Sequence, residues 1–217
     1  AGGVTLLSCD NLSHNGRVLA KVIGDFVAQV DPSLLPWIEQ HITFPSSMVD
    51  RIVPATTADN LTELEHGLGC RDEAAVFTEP FSQWVIENEF ARGAPDWQAA
   101  GALYVEDVTP FETMKLRLLN GSHSLIAYLG FLAGYDFVHQ VMAEPNFARL
   151  VRLFMDTQAQ PTLDIPPGFD IEQYKDSLCR RFCNPALNHR TYQIAQDGSQ
   201  KIPQRWLAPL RQLLAQG

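Results

Sequence analysis

Pro110-Phe111-Glu112-Thr113-Met114-Lys115-Leu116-Arg117-Leu118-Leu119-Asn120-Gly121-Ser122-His123 opens the longest helical candidate in the chain, Phe111 to Gly134. Pro110 suits a first helical turn, where its missing N–H would be unpaired anyway. Most of the run is apolar, yet it carries Glu112, Lys115, Asn120 and His123. At about 100° per residue, Lys115, His123 and Asn120 fall at roughly 0°, 80° and 140°. They share one half of the helix surface, with Leu119 and Ile126 on the same side. A lysine covered by such neighbours loses solvation, and its pKa falls toward the range useful for proton transfer. An asparagine beside it can donate to a developing oxyanion. A histidine can hold a substrate hydroxyl. The plainer alternative is a snorkelling Lys115 and a satisfied core histidine at 123.

The chain beyond this run is also helical. Residues 136–143, 145–158, 170–183, 189–196 and 204–215 read as helices, and a linker over 160–169 carries Pro161, Pro166 and Pro167. Upstream, Val4 to Cys9 reads as a strand. Apolar residues at helical spacing from Val18 to Val30 follow, with Asn15 or Ser13 as the cap. Pro32 and Pro36 punctuate a short helix, and residues 42–57 read as extended chain. Residues 58–68 read as a helix closed by Gly69. Val76-Phe77, Trp84-Val85-Ile86 and Ala102 to Val105 read as short strands. The fold class is therefore mainly α with a small β portion. No G-x-G-x-x-G turn is present; Gly67-Leu68-Gly69 is the nearest approach and lacks the third glycine.

Composition narrows the function. The 217 residues are 46% apolar and 19% charged, enough to bury a core and exclude disorder. The net charge of −9 argues against a nucleic-acid partner. No apolar run approaches the ~18 residues of a membrane span, so no membrane partner is expected. Trp84, Trp97 and Trp206 are too scattered to propose a base-stacking platform. Cys9, Cys70, Cys179 and Cys183 read as reduced thiols of a cytoplasmic protein. Cys179, Cys183 and His189 are four and six residues apart, which is no zinc spacing, so no metal is expected. The opening Ala1-Gly2-Gly3 reads as a cut within something longer.

Three further clusters have two readings each. Ser8-Cys9-Asp10-Asn11 is placed where α/β folds bind ligands, or is an Asx turn with a helix cap. Asp50-Arg51 lies between apolar residues as a site or a plain ion pair. Residues 188–201 offer Arg190 and Lys201 to an anionic substrate, or merely solvated charge.

Four blocks together resemble the long-chain mannitol dehydrogenase family of polyol and sugar-acid dehydrogenases. They are Ser8-Cys9-Asp10-Asn11 with Asn15-Gly16; Thr43-Phe44-Pro45 running to Met48-Val49-Asp50-Arg51-Ile52-Val53-Pro54; Met114-Lys115-Leu116-Arg117 to Asn120-Gly121-Ser122-His123; and His189-Arg190-Thr191 to Asp197-Gly198-Ser199-Gln200-Lys201. The resemblance covers essentially the whole chain. It implies a helical catalytic domain of a Rossmann-type dehydrogenase, residues 107–217, preceded by the end of the nucleotide-binding domain and a connecting segment, residues 1–106. It implies metal-independent hydride transfer with NAD. Lys115 is then the general acid/base. Asn11 and Asn120 hold the oxyanion, His123 fixes the substrate, and Glu112 lies on the proton path. Asp50 adjoins substrate and cofactor, Asn11 also faces the cofactor, and Arg190 or Lys201 meets the substrate.

The resemblance also implies a longer enzyme, incomplete here at both ends; members of the family are often monomers, and the oligomeric state stays open. Some mannitol-oxidising members carry arginine eight residues before the matching lysine, where this chain has Gln193. The last block and the segment Glu79 to Glu87 look most like the branch that interconverts fructuronate and mannonate, with mannitol 2-dehydrogenase the runner-up. A non-catalytic helical module is a third reading. Lys115, Asn11, Asn120 and His123 occurring together argue against it.

Overall fold

From Thr109 to Leu132 the computed structural model is continuously helical, but the helix changes gauge twice. Helix α4 (Thr109–Met114, the fourth α-helix in chain order) passes into a π-turn, Lys115–Asn120, and then into α5 (Gly121–Leu132). The Gly121 N–H reaches back to the Leu116 carbonyl, five residues away, instead of four. The structure describes residues 2–216, which are 59% helical with few strands, as the sequence implied.

The chain divides into two compact units, each taken by itself below. The first is Ala1–Asp50 with Phe81–Glu112, and the second Arg51–Pro80 with Thr113–Gly217.

In the first unit, strand β1 (Val4–Thr5) leads by way of helix α1 (Asn15–Val30) and helix α2 (Leu35–His41) to strand β2 (Ile42–Thr43). The two strands pair in parallel, Val4 with Ile42 and Thr5 with Thr43. A three-stranded sheet follows, of β3 (Ser47–Asp50), β4 (Gln83–Glu87) and β5 (Ala102–Val105), in that order. β3 runs antiparallel to β4, and β5 parallel to it. Val85 and Ile86 at its centre are fully buried. Trp84 and Trp97, distant in sequence, stack at 5.0 Å, and Phe90 meets Trp97 and Tyr104 edge-on.

Two expectations fail here for local reasons. The strand expected over Val4 to Cys9 ends at Thr5, because Ser8 and Asp10 turn the chain: the Asp10 N–H donates to Ser8 Oγ and the Asn11 N–H to Asp10 Oδ1. Neither Asn15 nor Ser13 caps α1. The cap position is His14 in the left-handed region, and no side chain bonds there. Asn15 is buried instead, with its amide nitrogen 2.9 Å from the Asp10 and Ser47 carbonyls and its Oδ1 accepting the Ser47 N–H. Gly16 beside it is required by space, since a Cβ would lie 2.3 Å from the Phe44 carbonyl oxygen.

The second unit begins with Arg51 and the helix α3 (Ala58–Leu68), whose ends follow the sequence: a Thr57–Asn60 capping box and Gly69 in the left-handed region. Val76-Phe77, expected as a strand, is irregular chain. The body of the unit is α5 with α6 (Val138–Ala143), α7 (Pro145–Phe154), α8 (Ile171–Phe182) and α9 (Thr191–Ala195). Leu118, Ile126, Val141, Met155, Leu178 and Phe182 form its core, each at most 1% exposed. Full burial contributes about 1.5–3 kcal/mol per side chain of this kind. Two more π-turns, Met155–Ala159 and Pro203–Leu207, interrupt the helices expected over 145–158 and 204–215. The second of these lies between α10 (Gly198–Ile202) and α11 (Ala208–Gln216).

Candidate active site

The π-turn changes how Lys115 and Asn120 relate. An ideal α-helix separates residues five apart by roughly 140°. A π-turn bonds i to i+5, so residues five apart lie nearly one turn above each other. Lys115 and Asn120 therefore share a face, both half-buried, with His123 buried on the turn that follows. This is a tighter cluster than α-helical spacing gives.

His123 is the most enclosed member, 6% exposed. Its ring lies 4.7 Å from that of Phe182 and meets the His189 ring edge-on at 5.2 Å. Burial, then the charges of His189, Arg205 and Arg181, hold its pKa well below the usual histidine value. His123 Nε2 and His189 Nδ1 are buried without a hydrogen-bond partner in the described structure. A neutral imidazole with a free nitrogen offers a hydroxyl either a donor or an acceptor. Burial, with Lys201 nearby, brings the His189 pKa down to about 4.

Around these rings stand cations. Lys201 Nζ donates to the Ile194 carbonyl at 3.2 Å and lies 3.9 Å from Asp197. Burial and then Arg205 lower its pKa. Arg205 Nη1 donates to the Asn120 carbonyl at 3.1 Å and to Ser124 Oγ at 3.0 Å. Arg181 is different. Its guanidinium grips Glu79 through Nε at 2.9 Å and Nη2 at 2.8 Å, with both residues buried. Glu79 Oε1 also accepts the Ile52 N–H at 2.6 Å. Arg190 follows His189 in sequence, but it is exposed, with its guanidinium 5.1 Å above the Phe137 ring.

The remaining expected residues belong to the first unit. Asn11 is exposed in the loop after β1, at the carboxyl end of the parallel pair. Asp50 ends β3 and is fully buried. Arg51, read as its ion-pair neighbour, sends Nε to the Glu79 carbonyl at 3.0 Å. Glu112 accepts the His14 N–H at 3.1 Å and the Ser13 hydroxyl at 3.3 Å, so the Asn11 loop is tied to α4. Burial pushes its carboxyl above the usual range, against those bonds.

The sequence marked Asn15 as a cap and as part of the Asn15-Gly16 block, and Glu79 as the start of the segment to Glu87, but not their buried contacts; Arg205 gave no local signal at all. Among the described residues no group of three or more His, Cys, Asp or Glu is placed to hold a metal ion. Burial raises the pKa of Cys179 and Cys183, which keeps them as thiols.

Two family descriptions match this chain, the mannitol dehydrogenase Rossmann domain over residues 1–99 and the mannitol dehydrogenase C-terminal domain over 107–217. The chain belongs to the mannitol dehydrogenase family. Within it, the chain is 49% identical over 213 residues to the D-mannonate oxidoreductase of Escherichia coli (strain K12), covering 98% of this chain and 44% of that protein. The Pseudomonas fluorescens mannitol 2-dehydrogenase, solved as a ternary complex with NAD and D-mannitol, is 43% identical with a TM-score of 0.84, covering 98% of this chain and 43% of that one. A substrate-free D-sorbitol dehydrogenase is 37% identical with a TM-score of 0.90, covering 98% and 44%. This mannitol dehydrogenase family chain thus spans less than half the length of these relatives. No helix of the described residues is long and apolar enough to cross a membrane.

Proposed function

We propose that the protein is an NAD-dependent, metal-independent oxidoreductase that interconverts a keto sugar acid and its alcohol, fructuronate and mannonate. Family membership and the 49% identity to a D-mannonate oxidoreductase support this reading. Residues 1–106 complete the nucleotide-binding part and 107–217 form the catalytic part; the gap between the two family matches, 99 to 107, supports that division. The β1–β2 pair with its helical crossover is of the type that places dinucleotides at strand carboxyl ends, and Asn11 stands there. NAD, when bound, accepts the hydride.

The protein's own residues handle the proton and the oxygen. Lys115 takes the hydroxyl proton as the alcohol is oxidised and returns it in the reverse direction. Asn120 and Asn11 donate to the oxygen as it gains charge, which replaces the metal of other dehydrogenases. His123, held neutral by burial, bonds a neighbouring hydroxyl. Glu112 borders the proton path, and Asp50 adjoins substrate and cofactor.

The observation that carries the acid over the neutral sugar is the pairing of Lys201 and Arg205. Lys201 is part-buried, Arg205 lowers its pKa further against the opposing pull of Asp197 at 3.9 Å, and its hydrogen bond goes to a neutral carbonyl oxygen. A carboxylate would relieve that field. Lys201 suits the role better than Arg190, whose guanidinium lies over Phe137 at the surface. Gln193, in place of arginine, fits the same choice. The four free thiols suit the reducing cytoplasm.

The test is NADH oxidation by the full-length protein with fructuronate and fructose side by side. Faster turnover of fructuronate is expected, and Lys201→Met raises its KM more than that of fructose. Faster turnover of fructose moves the assignment to mannitol 2-dehydrogenase, the reading favoured by the mannitol-bound structural relative.

A further inference from the structure

The π-turn that aligns Lys115 with Asn120 is not the register a helix adopts by itself. An α-register lies one residue away, and helices favour it except where tertiary contacts intervene. Those contacts are specific. Arg205 Nη1 donates to the Asn120 carbonyl at 3.1 Å and to Ser124 Oγ at 3.0 Å, spanning the junction between the π-turn and α5. Trp206 Nε1 donates to the next carbonyl, Gly121, at 3.1 Å. Two consecutive main-chain oxygens at the junction are thus held by two consecutive side chains. Both donors lie in a π-turn of their own, Pro203–Leu207, which aims adjacent residues at adjacent carbonyls.

The fit around them is close. The Trp206 ring meets the Tyr128 ring edge-on at 5.8 Å, which fixes the indole. Gly121 sits close beneath Phe154: a Cβ there would lie 3.1 Å from the Phe154 ring. From these contacts we infer that Arg205 and Trp206 are positioning residues, which lock the π-register of Lys115–Asn120 and so keep the base and the oxyanion donor on one face. The inference rests on the roles given to Lys115 and Asn120 above. Without the two donors the turn relaxes toward the α-register. Asn120 then swings away from Lys115 by about one residue's rotation, ~100°.

The test uses the full-length protein with Arg205→Met, Arg205→Ala and Trp206→Phe, and Lys115→Ala as the control. Trp206→Phe keeps the ring packing and removes one donor, so it decides the matter if the arginine variants do not fold. Loss of alignment is expected to lower kcat on the order of 10²-fold for Arg205→Met, because small misplacements at a reacting centre have effects of that size. The KM for NADH stays unchanged, and sub-denaturing guanidinium restores part of the Arg205→Ala turnover. Trp206→Phe also lowers kcat, by less. Folded Arg205→Met and Trp206→Phe proteins with unaltered kcat overturn the inference. So does a loss that guanidinium does not restore and that tracks lost folded protein. If Lys115→Ala keeps full turnover, the catalytic reading itself fails. If it is inactive while the Arg205 and Trp206 variants turn over normally, only this inference fails.

Discussion

Lys115 is half-buried on a widened helical turn, and in the function proposed above it exchanges a proton with the reacting oxygen. Positioned acid–base catalysis contributes about 10²–10⁴-fold. Lys115→Ala is therefore expected to lower kcat by at least ~10²-fold in that range, and the pH–rate profile should lose one limb while NADH binding persists. On the same proposal, Asn120→Ala takes away one oxyanion donor and should lower kcat by roughly 10²–10³-fold with little change in substrate KM. Steady-state kinetics of the two variants separate the roles, since only the lysine variant alters the pH profile. These residues were legible in the sequence because a lysine, an asparagine and a histidine are chemically out of place in an apolar helix. Arg205 and Glu79 were not legible, because the atoms they hold lie 85 and 102 residues away in the chain. Ordinary charges on ordinary helices acquire a role only through that distant contact.

Elements were legible where the signal was local. The helix α3 starts at its capping box and stops at Gly69 because both devices act within one turn. The π-turn at Lys115–Asn120 was invisible, since the apolar spacing of residues 111–134 is the same for either register. Val76-Phe77, which read as a strand, is irregular chain just before the buried Glu79, whose partner Arg181 is distant in sequence. That pair anchors the segment 51–80 to α8, with the Ile52 N–H as a third bond. Glu79→Ala leaves a buried guanidinium without its partner and should destabilise the fold by about 3–5 kcal/mol. Urea unfolding of the variant measures it. The double replacement Glu79→Met with Arg181→Met should recover much of the loss, because it buries no lone charge.

For the molecule as a whole, the buried His123 and the half-buried His189 make stability depend on pH. In the unfolded chain a histidine titrates near 6.5, whereas His189 in the fold titrates at about 4. Between those values the unfolded state binds the extra proton, so unfolding stability rises with pH. The contribution is intact above the unfolded value, erodes as pH falls through it, and is gone once the folded group also protonates. At about pH 5 the loss from His189 alone is about 2 kcal/mol. His123, shifted in the same direction, adds to it. Glu112 acts with the opposite sign: its folded carboxyl titrates above the unfolded value, so acidification stabilises it, but only near the carboxylate range. The histidines therefore dominate between pH 7 and 5, as their window opens first. Urea denaturation at the two pH values should show stability falling on acidification. His189→Gln, which keeps a polar side chain without a titrating group, should flatten that dependence in part. A His189→Gln protein with an unchanged slope would place the sensitivity in His123 alone.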